Sequence, residues 1–114
     1  MKKYIVLYHT PAEAEAQAAT ASPEDQAAGI ASWMAWAARC GEHLVDPGAP
    51  LMQGRQLTPD GRNQPGNKGV AGYSILQADS LDAAITLLQG HPHLSWHAAC
   101  SIEIHETRPV PGME

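Results

Sequence analysis

The side chains best suited to chemistry lie in one short stretch, His91-Pro92-His93 followed by His97. Imidazole titrates near neutral pH, so it can take up and return protons, and when neutral it can ligate a metal. Three histidines within seven residues could supply part of a zinc site, with Glu103 and His105 completing it. HxH without HExxH or paired-cysteine spacing is a weak metal signature, and no metal is assigned. The competing view is that His91 closes a helix C-terminus, where the dipole favours it, while His93 packs or bonds at the surface. Asp46, between Val45 and Pro47, is the candidate partner. Across a cleft its carboxylate would orient an imidazole and raise its basicity; on an edge strand it would deter aggregation. His91, His93 and Asp46 are the catalytic candidates. Tyr8, Ser74, Glu103 and His105 fall on alternating strands and form the candidate ligand pocket, since a few polar groups in an apolar cavity fix a ligand's orientation. Hydrogen bonds across a subunit interface would explain them equally well.

Other chemistries are disfavoured. The glycines from Gly61 to Gly72 do not form GxGxxG at a helix start, and no Walker pattern occurs, which argues against binding nucleotide phosphates. Arg39 adjoins Cys40, but neighbours in sequence do not share a helix face, so no activated thiol is expected. Trp33, Trp36 and Trp96 are expected to pack in the core or at an interface.

These groups need elements to position them. Lys3 to His9 (KYIVLYH) has the β-branched and aromatic content of a strand and stops at Thr10-Pro11. Residues 12–21 are Ala, Glu and Gln with almost no large apolar group, hence a frayed helical extension or a mobile loop. Ser22 as N-cap, Pro23 at the first position and Glu24-Asp25 in the first turn open a helix of about five turns. Its apolar face carries Ile30, Trp33, Met34, Ala37 and Cys40, and Gly41 stops it. Leu44 to Met52, broken by Pro47 and Pro50, reads as an interrupted or edge strand bent at Gly48. Gly54 to Gly69 reads as a long polar hairpin loop. Val70 to Ala78 is a second strong strand. Ser80 caps a helix in which Leu81, Ala84, Ile85 and Leu88 line one face, and Gly90 ends it. His91 to Ala99 is an irregular connection, and Cys100 to Glu106 alternates as a strand.

The order β-α-β-β-α-β is the split-βαβ, ferredoxin-like pattern: an α+β fold whose antiparallel sheet carries two helices on one face. Ile5, Leu7, Ile102 and Ile104 are assigned to the covered face. Val6, Tyr8 and Leu76 would make the other face partly apolar, and a second copy packed across a two-fold axis would cover it. A homodimer is therefore expected.

Length and charge set the outer limits. The 114 residues suit one domain spanning 1–114, with 44% apolar residues. The net charge of −5 gives no basic footprint for nucleic acid. No apolar run approaches the ~18 residues of a membrane span. The short N-terminal apolar stretch has no cleavage pattern, and Cys40 and Cys100 lack CxxC spacing, so reduced thiols and a cytoplasmic location are expected.

The segments KKYIVLYH, WMAWAARCGEHLVDPGAPL, TPDG, VAGYSILQADSLDAA and GHPHLSWHAACSIEIHE together resemble the YCII-related group, in its DGPF-like branch, over nearly the whole chain. The resemblance implies ferredoxin-like subunits paired into a dimeric α+β barrel, with a His–Asp pair suspected in a cleft beside the interface. That pair does not carry over residue by residue. Ile30, Ser32 and Trp33 stand where the founding type has its helix histidine, and His91-Pro92 stands for its Asp-Pro. Of the DGPF tetrad only Asp60-Gly61 remains. The expected function is acid–base chemistry on a small organic molecule without a redox cofactor. The alternatives are a non-catalytic metabolite-binding or regulatory module and, further off, a histidine-cluster metal protein.

Overall fold

The computed structural model describes residues 1–66 and 68–113. Strand β1 (Lys2–His9) leads through helix α1 (Ala12–Ala19) to the long helix α2 (Pro23–Cys40). A single 3-10 turn, Gly41–His43, precedes β2 (Leu44–Pro50). A short hairpin follows, β3 (Arg55–Leu57) and β4 (Asn63–Pro65), and then β5 (Val70–Ala78), α3 (Leu81–Leu88), α4 (Pro92–Trp96) and β6 (Ser101–Glu106). The body is α+β: one four-stranded antiparallel sheet in the order β2-β5-β1-β6, with helices packed on it.

The helix starts follow from their caps. Ser22 Oγ accepts the Asp25 N–H at 3.1 Å and Ser80 Oγ that of Ala83 at 3.1 Å, each satisfying a donor that the first turn leaves unpaired. The Ala-rich stretch before Ser22 is a regular helix, anchored by one buried residue, Ala14. Within 54–66, Arg55–Leu57 and Asn63–Pro65 pair as a β-hairpin, with Asp60 bonded to the Thr58 hydroxyl and the Arg62 N–H at its tip. Inside 91–99, where an irregular connection is expected, Pro92 starts the five-residue α4. Pro loses nothing at a first helical position, because that N–H has no helical partner.

The core lies between sheet and helices. Val6, Tyr8 and Leu76 pack against Trp36 and Cys40 of α2 and Leu88 of α3, so α2 and α3 cover the same face. The Trp36 indole N–H donates to the Leu87 carbonyl at 2.9 Å, tying α2 to α3. Cys40 and Cys100 are free and buried.

The faces differ from expectation. Val6 opposes Ile104 and Tyr8 opposes Ile102, so the β6 isoleucines lie on the helix side with Val6, Tyr8 and Leu76. Ile5 and Leu7 take the other side, opposite His105 and Glu103. Alternation groups residues within each strand but leaves open which group meets the helices, and one residue of register decides it. On α2, Trp36 is buried while Ile30 and Met34 are exposed. The N-terminal half of α2 is largely exposed, so part of its apolar stripe has no core beneath it.

Candidate functional site

The N-terminal half of α2, the end of α1, α4 and the facing ends of β2 and β5 line an open groove of about 1150 Å3. Trp33, Ile30 and Met34 form one wall and Pro47 to Pro50 another, with Tyr8 and His93 between them and Trp96 beyond His93.

The inner wall is built from β1. Tyr8 is buried, and its hydroxyl lies 2.8 Å from Ser74 Oγ. Ser74 donates its proton to the Pro47 carbonyl at 2.8 Å. A carbonyl only accepts, so the Ser74 proton is committed and Tyr8 must donate to Ser74. The relay therefore runs Tyr8 to Ser74 to Pro47, and the Tyr8 oxygen keeps its lone pairs. Burial pushes the phenol up to about 12, offsetting the downward pull of the Ser74 bond, with a smaller upward push from Cys40. Tyr8 is a neutral phenol over the whole physiological range.

Pro47 is held by its flanking residues. Asp46 Oδ1 accepts the Gly48 N–H at 2.8 Å, an Asx turn across the proline. Gly48 has φ +76, and a Cβ there would stand 1.7 Å from the Tyr73 carbonyl oxygen. Only glycine fits this bend. Asp46 therefore acts locally, and among the described residues no hydrogen bond or ion pair joins it to a histidine.

The two histidines of His91-Pro92-His93 occupy different environments. His91 is fully buried at the N-cap of α4, where its Nδ1 accepts the His93 N–H at 3.0 Å. Its proton therefore sits on Nε2, which is buried without a hydrogen-bond partner. Trp33 and Trp36 surround the ring with centroids at 4.4 Å each, and Tyr8 lies at 5.1 Å. Burial drives the His91 pKa down to about 4, helped by the charges of His93 and Arg39. His91 is a neutral packing group at pH 7. His93 lines the groove, and its Nε2 lies 2.9 Å from the His9 carbonyl. That acceptor fixes the proton on Nε2, which leaves Nδ1 with the lone pair. The β1–β5 register shifts between Tyr8 and His9, at the end of β1 where that carbonyl lies. His97 Nδ1 accepts the Ala99 N–H at 3.0 Å, a local turn.

The expected pocket set divides between the sheet faces. Tyr8 and Ser74 sit together on the helix side, while Glu103 and His105 lie on the opposite face. There Glu103 Oε1 meets His9 Nε2 at 3.0 Å and Oε2 meets His105 Nε2. These partners hold the Glu103 carboxyl below its usual range, the His105 bond most strongly. Among the described residues, no group of three His, Cys, Asp or Glu side chains could hold a metal ion. No helix among them is long and apolar enough to cross a membrane.

Compared with known proteins, the chain matches no family model and no curated protein. The site must be read from its geometry alone. Several contributors escape a reading of sequence: Ile30, Met34 and Trp33 as walls, the Pro47 carbonyl as the end of the relay, and the His9 carbonyl as the group that sets the His93 tautomer. Only the apolar stripe of α2 running past the expected core could have signalled the first of these.

Proposed function

We propose that the chain binds a small organic molecule in the α2–α4 groove and exchanges a proton with it through His93, without a redox cofactor. The observation that carries this reading is the fixed tautomer of His93: with Nε2–H committed to His9, Nδ1 is the free base at an apolar wall, beside the neutral Tyr8 phenol. Apolar surroundings strengthen the hydrogen bond that a donor makes to such a base, and an imidazole held at that distance can take the proton in the transition state. His91 caps α4 and meets Trp33 edge-on, which positions the turn that carries His93.

A nitrobenzisoxazole tests this directly. It is a neutral aromatic ring that opens when a base removes its ring C–H. Turnover above buffer is expected, falling at least tenfold in His93→Gln and unchanged in His97→Gln. Equal rates in the wild type and His93→Gln would remove the catalytic role.

The second reading is a non-catalytic binding module. It is favoured by Asp46, which is taken up by its own turn and leaves His93 without a carboxylate partner. In either case the subunit is read as ferredoxin-like and YCII-related, cytoplasmic, and paired with a second copy. The strand order β2-β5-β1-β6, with α2 and α3 on one face, supports the ferredoxin-like reading. The dimer is supported by the half-buried Ile5, Leu7, Tyr73 and Ile75 on the face that no helix covers.

A further inference from the structure

The hydrogen-bond directions at the inner wall of the groove restrict what can bind there. Tyr8 spends its proton on Ser74, and His93 spends its Nε2 proton on His9, so both present lone pairs. The nearby hydroxyls behave alike: Ser32, Ser95 and Thr20 each donate to a backbone carbonyl of their own segment. Asp25 is the one charged side chain among the described lining residues, and no lysine or arginine joins it. The donors left on the walls, the indoles of Trp33 and Trp96, the Gln17 amide and the second amide proton of Gln26, are neutral. The Thr10 hydroxyl is buried and can turn either way.

An anion entering this groove would lose its hydration and meet lone pairs, a carboxylate and a net charge of −5. A donor would meet two fixed acceptors beside the rings of Trp33 and Trp96, with the apolar Pro47 to Pro50 wall opposite. We propose that the groove selects an uncharged, ring-bearing hydrogen-bond donor, of the phenol or aryl-amine class, and rejects carboxylates and phosphates. This rests on the groove being the binding site. It also says which proton His93 would take: the one on the ligand's donor atom, which moves to Nδ1 and leaves the oxygen or nitrogen electron-rich.

Three probes of nearly equal shape test it: p-cresol, p-methylanisole and p-toluate. Binding is read from the indole signals of Trp33 and Trp96 in NMR titrations. p-Cresol should bind roughly tenfold tighter than p-methylanisole, the loss expected when a donor is removed opposite desolvated acceptors. p-Toluate should bind most weakly. Ser74→Ala frees the Tyr8 proton to point at the ligand, so the preference for p-cresol over p-toluate should narrow in that variant. Binding of p-toluate as tight as that of p-cresol, with the same indole shifts, would overturn the selectivity while leaving the site in place. Failure of all three probes to move those signals at millimolar concentration would overturn the site itself.

Discussion

His91 and His93 are two residues apart and identical in type, yet burial separates their roles. His91 has a folded pKa near 4 against about 6.5 when unfolded. Below pH 6.5 the unfolded chain takes up a proton that the folded chain refuses, so stability falls as the pH drops from 6.5 towards 4. The full loss is roughly 3 kcal/mol, about 2 of which appears by pH 5, before depressed carboxyls such as Glu103 contribute. Urea unfolding at pH 7 and pH 5 should show this drop, and His91→Leu should flatten it. An unchanged slope in the variant would show that other groups carry it. Tyr8 works in the opposite direction. Its raised pKa gives stability that is present below pH 10 and lost between 10 and 12. Tyr8→Phe should cost about 1 kcal/mol at pH 7 by removing the bond to Ser74, and should weaken p-cresol binding. The sequence marked this histidine pair as unusual, but their tautomers depend on backbone groups that fold next to them from β1 and from their own turn, and no spacing encodes that.

At the level of elements, the caps and periodicities were legible: Ser22-Pro23 and Ser80 open their helices, and β1, β5 and β6 alternate as expected. Three features were not. The face assignment of β1 against β6 turns on one residue of register, α4 is too short to show a period, and the exposure of Ile30 and Met34 depends on the groove that opens beside α2. The segment Asp46-Pro47-Gly48 shows the difference well. Its composition announced a bend, but the packing of Gly48 on the Tyr73 carbonyl and the aim of Pro47 at Ser74 come from pairing with β5. Gly48→Ala should therefore destabilise by 2 kcal/mol or more, since both the positive φ and the backbone contact forbid a Cβ. Thermal unfolding measures it, and a loss under ~0.5 kcal/mol would contradict the geometry.

The whole molecule is flat, with extents of 48 × 44 × 20 Å and a radius of gyration of 15.8 Å. A compact chain of this length would have about 13 Å. One sheet face carries helices; the other carries Ile5, Leu7, Tyr73 and Ile75 beside the His9–Glu103–His105 cluster. If a second copy covers that face, sedimentation at micromolar concentration gives a dimer and Leu7→Glu gives a monomer. A monomeric wild type would refute the pairing. Dimerisation on that face leaves the groove open, because the groove lies on the helix side.

The groove presents His93 Nδ1 as a free acceptor. Nitrogen-detected NMR of the His93 ring at about pH 8, well above the usual histidine range, tests it most directly. An unprotonated Nδ1 and a protonated Nε2 are expected, with the Nδ1 signal alone moving as p-cresol is added. A proton on Nδ1, or a ring indifferent to p-cresol while the indole of Trp33 responds, would contradict it.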